Sequence, residues 1–371
     1  MSIKAIVLIA VAVLSLPGAH AQNSASAFCE NSYQKVCTDN REALQDRKDQ
    51  IDRIKGEIAD EAKPLAQAEI AKLPPLSGIG PRRWLGQLRR WLETEKIKNR
   101  FIIEVAGQRL GGLESEAINQ DSVKTIKKYL KEAIENSKFD RYLKDNFKGI
   151  IEGVTVGNFM EYAERVGLKN GLLAQLFSAH CGIDGLIDNA FATESQGQDY
   201  VLICPGWQIS LKLGQRESET KTFNTILQVL THEMAHHIDP SRFGENYKGF
   251  ISCIANNHGN ALKADLMTKV HCNIKPAECA PRKAEKHSGE IAADTWAAEV
   301  VSAYLRDHAL SLQEKEQGIS EAFVRLCGSS DEGIHPDDRF RLEHILLNNP
   351  TVRTQLECRP APMSRGKYCA Y

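Results

Sequence analysis

Three residues in the stretch "VLTHEMAHHID" (Val229–Asp239) have types and spacing that suit chemistry: His232, Glu233 and His236. On a helix, residues four apart lie one turn apart on one face, so the two imidazoles can converge on a single ion. Glu233 is offset by about 100° around the same helix, which places it beside the ion, where a carboxylate can act on a water. The bland reading of the same letters is a pair of histidines on a polar surface. A metal site needs a third ligand to displace that reading.

One common continuation of the pattern puts a Gly and a third His three and six residues after the second His. Asp239 and Arg242 stand at those positions, so it does not apply. The other takes a carboxylate from a second helix. "HSGEIAADTWAAEVVSAYL" (His287–Leu305) has an apolar side made by Ile291, Trp296, Val300 and Leu305. Glu290 and Asp294 are four apart on one of its faces, next to small Ala292 and Ala293 that permit close packing. Glu290 can ligate the ion, and Asp294 can take a hydrogen bond from a ligand histidine and fix its tautomer. His258, His271 and His287 stay open as replacements for Glu290, although none has supporting spacing. His237 points about 100° away from His236 and reads as a neighbour.

The elements that must position these residues are legible in part. Phe223, Ile226, Leu227, Leu230, Met234 and Ile238 recur at three- and four-residue steps, which predicts an amphipathic helix over about Thr220–His237, capped by Thr220 or Thr222. Just before it, "NAFAT" (Asn189–Thr193) and "DYVLICP" (Asp199–Pro205), separated by "ESQGQ", read as a hairpin. The first 150 residues carry no visible chemistry and read as helices. Ile51, Ile54 and Ile58 form one stripe, and Val123, Ile126, Leu130 and Ile134 another, with a break at "LPPLSGIGP" (Leu73–Pro81). The Arg82–Arg90 segment is a basic amphipathic helix, able to touch an anionic membrane but more commonly docked on its own domain.

The chain starts with Lys4, a short apolar run from Ala5 to Leu16 and a small-x-small end at Ala19–Ala21, as a cleavable export signal over 1–21 would. The run falls short of the ~20 residues of a membrane span. Ten cysteines follow, an even number that suits disulfides in an exported protein, with Cys29–Cys37 and Cys358–Cys369 as plausible local pairs. A net charge of -1 gives no field for nucleic acid, and no nucleic-acid partner is expected.

With these residues in hand, "HEMAH" followed by "GEIAAD" resembles the gluzincin metallopeptidases, in particular soluble periplasmic relatives of the CAAX prenyl protease/HtpX-like group. "NAFAT" looks like the edge strand those proteins carry before the zinc helix. "HPDDRFRL" (His335–Leu342) looks like their His-Pro segment after the glutamate helix. The resemblance covers roughly residues 185–345. It implies a mainly helical α+β fold, with a zincin-like domain over 151–371 holding a small antiparallel sheet, the His-Glu helix and the glutamate helix. A helical region over 22–150 precedes it. It also implies one Zn²⁺ per chain on His232, His236 and Glu290, with Glu233 as general base, Asp294 behind a histidine and His335 as oxyanion donor. Arg339 would orient the His335 segment, and Asn189, Ala190 and Phe191 would hold an extended polypeptide substrate. The expected protein is a periplasmic or secreted zinc endopeptidase. The alternative is a non-catalytic metal-binding envelope protein that uses the same fold to bind partners.

Overall fold

The computed structural model describes residues 27–75, 81–110, 118–158, 162, 180–182, 186–309, 311–328, 333–358 and 367–371. The expected export signal at 1–21 lies outside them. The order of the main elements is α1 (Arg41–Ile70), α2 (Pro81–Leu110), α3 (Gln120–Asn136), α4 (Arg141–Gly153), β1 (Thr155–Asn158), β2 (Ala190–Ser195), β3 (Gln198–Ile203), α5 (Pro205–Glu217), α6 (Glu219–Ala235), α7 (Lys248–His258), α8 (Leu266–Ile274), α9 (Cys279–His308), α10 (Leu312–Phe323) and α11 (Pro350–Gln355). The fold is α+β and mainly helical. Among the described residues, no helix is long and apolar enough to cross a membrane.

Short polar side chains start several of these helices by accepting from the otherwise orphaned N–H groups of the first turn. Asn119 accepts from Ser122 N, Asp140 from Leu143 N and Asp265 from Thr268 N. Helix α6 is capped by Ser218, which accepts from Lys221 N, and not by Thr220 or Thr222. Ser218 has extended backbone angles (φ -163°, ψ 118°), which let its hydroxyl turn back over the first turn.

The hairpin forms where expected. β2 and β3 are antiparallel, with Ala190 opposite Ile203 and Ser195 opposite Gln198. Gln196 and Gly197 close it at φ 54° and 73°, the doubly left-handed turn whose twist matches that of paired strands. The sheet as a whole is mixed, which corrects the expected antiparallel one. β1 adds to the other side of β3 in parallel, Thr155 opposite Tyr200, giving the order β1-β3-β2. β1 is "TVGN", four half-buried residues with no alternation, so nothing in its sequence announces a strand. Among the described residues, β2 is left at an edge.

Helix α9 is the centre of the molecule. It is buried on nearly every side from Ala284 to Leu305, as expected of a helix enclosed by other elements. Ala292, Ala293 and Ala297 are fully buried and let α6 and α7 approach closely. Side chains from both sides of residue 150 share this core. Ile126, Leu130 and Ile134 of α3 and Phe147 and Ile151 of α4 belong to the same apolar cluster as Leu230, Met234 and Trp296. The hairpin of α1 and α2 has a smaller cluster of its own, in which Ile58, Ala62, Ile102 and Val105 meet Ile209 of α5. In the basic stretch of α2, Arg83 and Arg89 are exposed and Arg90 donates to Pro74 O (2.8 Å). The side chains of Arg82, Trp84, Leu85, Leu88 and Leu92 lie outside the described residues.

All ten cysteines are paired, which fits an oxidising compartment. The local pairs suggested by proximity in sequence do not form. Cys29 joins Cys358 and Cys37 joins Cys327, so two nested bridges tie the N-terminal turns to the C-terminal region. Cys181–Cys204 and Cys272–Cys279 are short-range, and Cys253 joins Cys369. That last bridge seats the final residues in the core. The Tyr371 ring stacks on Trp296 of α9 (centroids 4.2 Å apart, 14° between planes), and Tyr368 OH donates to Glu299 Oε1 (2.8 Å).

Burial pushes the Glu299 carboxyl from 4.5 up to about 7, against the opposing effect of hydrogen bonds from Tyr368 and Asn349. Between those pH values the folded protein holds a proton that the unfolded chain has released. Stability from this group is therefore present below pH 4.5 and lost as pH rises toward 7, by at most about 1.4 kcal/mol per pH unit. Glu299→Gln should remove this slope. Urea midpoints of the two proteins at pH 5 and pH 7 should converge on lowering the pH, and parallel pH dependences would contradict the assignment.

Candidate metal centre

Helix α6 buries Ile226, Leu227, Leu230 and Met234 against the core and carries His232 in its last turn. The helix ends at Ala235, two residues earlier than its periodicity suggests. His236 follows as its cap with φ -61° and ψ -20°, still helical enough to keep the one-turn relation to His232. The two Nε2 atoms are 3.2 Å apart, with the rings nearly perpendicular. Helix α9 brings Glu290 to them. Its Oε2 is 3.2 Å from His232 Nε2 and its Oε1 is 3.6 Å from His236 Nε2. The donor atoms of all three residues lie within 4.8 Å of one another, the one such grouping among the described residues.

The outer nitrogens show why these atoms fit a cation. His232 Nδ1 is 2.9 Å from Asp294 Oδ1, and His236 Nδ1 is 2.8 Å from Asp239 Oδ2. A proton on each Nδ1 serves those carboxylates and leaves both Nε2 lone pairs facing one space. Glu290 Oε2 is buried there with no hydrogen-bond donor. Three potential ligand atoms converging in one buried space is an arrangement a metal ion satisfies, and His232, His236 and Glu290 could bind one. Burial alone would lower His232, but Asp294 and Glu290 outweigh it and hold its imidazole up to about 10.

The carboxylates behind the histidines are fixed in turn. Arg341 Nε and Nη2 donate to the two oxygens of Asp294, each at 2.6 Å, and both residues are buried. Asp239 accepts from Ser241 N (2.8 Å) and from the Ser241 hydroxyl. Gly289 lies against Asp239, where a Cβ would come within 3.0 Å of Oδ2, so the absence of a side chain there is what lets α9 approach.

Glu233 sits beside the ligand set, and its Oε2 accepts from Ala192 N (3.0 Å). Burial raises its pKa, the direction that suits a carboxylate meant to accept a proton near neutral pH. The Ala192 N–H is not used on β3, so Glu233 lies along the edge of β2 that no described strand covers. The three substrate positions suggested upstream are turned inward. Ala190 and Phe191 are buried, Phe191 stacks on the His180 ring, and Asn189 Nδ2 donates to His180 O (3.1 Å). Asn189 O accepts from Cys204 N on the β3 side (3.0 Å), and by the alternation of an antiparallel ladder it is the backbone of Ala190 and Ala192 that faces the edge.

His335 stands on the other side, its Nε2 3.3 Å from Glu290 Oε2 and its side chain half exposed. Its loop is anchored by His287 Nδ1, which donates to Ile334 O (2.7 Å), and by Asp337, which caps the next turn at Phe340 N and pairs with Lys263. Arg339, expected to orient this loop, is exposed and pairs with Glu343 (3.1 Å). Arg341, two residues on, reaches the site. Both arginines were visible in "DRFR", but which one turns inward depends on the helical turn that Asp337 starts. His237 Nε2 donates to Tyr200 O (3.1 Å) and so faces the sheet. His258 donates to Lys367 O, and His271 lies 3.3 Å from Glu278. Asp239 had a weak signal in its spacing three residues after His236. Arg341 and His287 had none.

The chain matches no protein-family model, and no curated protein matches it significantly.

Proposed function

We propose that this protein is an exported zinc endopeptidase of the gluzincin type, working in the periplasm or outside the cell. The observation that carries the reading is the convergence of His232, His236 and Glu290 with Glu233 alongside. Two imidazoles and a carboxylate are a common donor set for catalytic zinc, which keeps a further position open. Zn²⁺ bound there would supply Lewis acidity, polarising a peptide carbonyl and making a water acidic. Glu233 takes the proton of the attacking water and passes it to the leaving amine nitrogen as the C–N bond breaks. His335 Nε2 donates toward the oxygen on which negative charge develops. Asp294 and Asp239 hold the ligand imidazoles in one tautomer and one orientation. An extended substrate pairs with the free edge of β2 through backbone hydrogen bonds, giving modest sequence preference.

Elemental mass spectrometry of the protein purified without chelators, wild type beside His236→Ala, tests this. About one zinc per chain in the wild type and little in the variant is expected. No zinc in either protein would remove the basis of the proposal.

A further inference from the structure

The cleft that contains His236 and Glu290 has one wall built unlike the rest of the surface. Large exposed apolar side chains are few among the described residues, and five of the eight belong to α8 or to the His335 loop, two of these five lining the cleft. Leu266, Met267, Val270 and Ile274 lie on α8 at 75%, 74%, 47% and 72% exposure, and Ile334 lies beside His335. Leu266, Val270 and Ile274 are successive turns of one helical face, and Met267 flanks them. Met267 and Ile334 line the same cleft as the two metal ligands, so the apolar surface is continuous with the candidate metal centre.

This face is not a loose helix waiting to fold inward. Asp265 caps α8 and pairs with Lys286 of α9 (2.5 Å). The Cys272–Cys279 bridge ties the far end of α8 to the start of α9. Thr268 faces the protein and is buried. The helix is thus held with its apolar side in water, an arrangement that in folded proteins marks a binding surface.

Resting on the peptidase reading above, we infer that α8 and Ile334 form an apolar subsite that receives large hydrophobic side chains of an extended polypeptide near the bond to be cleaved. Two observations favour a polypeptide. The cleft measures about 1430 Å³, beyond the roughly 300–1,000 Å³ of small-molecule pockets. A membrane would call for free positive charge around the apolar face. Here Lys263, Lys275 and Lys286 are each paired, with Asp337, Glu278 and Asp265, and Lys269 is the one lysine of α8 itself, a single charge where a membrane-binding face carries several. A strand added along β2 passes Glu233, next to the ligands His236 and Glu290 that open into this cleft. The substrate class is therefore unfolded or extended chain rich in Leu, Ile, Met or Phe, and not polar linker.

The test uses the zinc-loaded full chain carrying Glu233→Gln, so that binding is read without turnover. Fluorescence anisotropy compares a labelled ten-residue peptide bearing three leucines with the same peptide bearing serines in their place. Binding at least tenfold tighter for the leucine peptide is expected, and so is loss of most of that difference with Met267→Ser and Ile334→Ser at unchanged zinc content. Equal affinity for the two peptides would overturn the inference even if the serine variants failed to fold. The wild-type protein is assayed in parallel for cleavage. Leucine-dependent binding with no cleavage would refute the peptidase reading and leave the apolar subsite standing. Cleavage indifferent to leucine, unchanged in the serine variants, would do the reverse. Sedimentation with phosphatidylglycerol vesicles, abolished by the serine changes while peptide binding persists, would assign the face to a membrane and overturn the proposal.

Discussion

If the proposed mechanism holds, exchange of Glu233 for alanine is expected to leave one zinc per chain and to lower peptide hydrolysis by about 10²–10⁴-fold, the usual contribution of a general base. The two halves of this expectation come from different atoms. His232, His236 and Glu290 converge without help from Glu233, so metal content is unaffected. The rate should fall because, among the described residues, no other carboxylate accepts from the β2 edge as Glu233 does from Ala192 N. Glu233→Gln separates proton transfer from packing. Its amide oxygen can still accept from Ala192 N, but it cannot take a proton from water. The two variants should be similarly impaired. Hydrolysis by Glu233→Gln at the wild-type rate would show that proton transfer belongs to another group.

Arg341→Ala is expected to destabilise the protein by about 3–5 kcal/mol, the range for removing one partner of a buried ion pair. Asp294 is 2% exposed and receives both of its short guanidinium hydrogen bonds from Arg341. Without Arg341, a buried carboxylate faces only His232. The effect should also reach the metal, because Asp294 orients the His232 ring, and loss of such a partner typically weakens metal binding 10–100-fold. Urea unfolding of the metal-free proteins reads the first effect, and competition with a chelator reads the second. Exchange of both Arg341 and Asp294 for apolar residues should recover part of the stability but not the affinity, since no buried charge is stranded. A loss below about 1 kcal/mol in Arg341→Ala would mean that water reaches Asp294 and replaces the guanidinium.

The parts of this site carried by helical period were legible in the sequence. His232, Glu233 and His236 could be placed on one helix because Ile226, Leu230 and Met234 set its phase. Glu290 and Asp294 could be placed on one face because they are four apart. The hairpin was legible because Gly197 marks a turn between two apolar runs. The rest was hidden because it depends on contacts between residues far apart in sequence. Asp239 acts on His236 only because the chain turns immediately after the helix. Arg341 and Arg339 are equivalent as letters, and only the turn after Asp337 selects between them. The third strand, β1, earns its place through backbone pairing with β3, to which side-chain pattern contributes little. Cysteine partners are equally invisible, since proximity in sequence favours Cys37 for Cys29 while the fold brings Cys358.

That last mismatch has a kinetic consequence. A chain delivered N-terminus first presents Cys29 and Cys37 together, eight positions apart, long before Cys327 and Cys358 arrive. Closure of so short a segment is fast, so oxidation during delivery would capture the two early thiols in one another. Each must then be freed by thiol–disulfide exchange before it can meet its distant partner. In an exported chain the nested pattern would therefore make maturation draw on a shuffling catalyst as well as on an oxidant, and its yield should respond to the supply of the former.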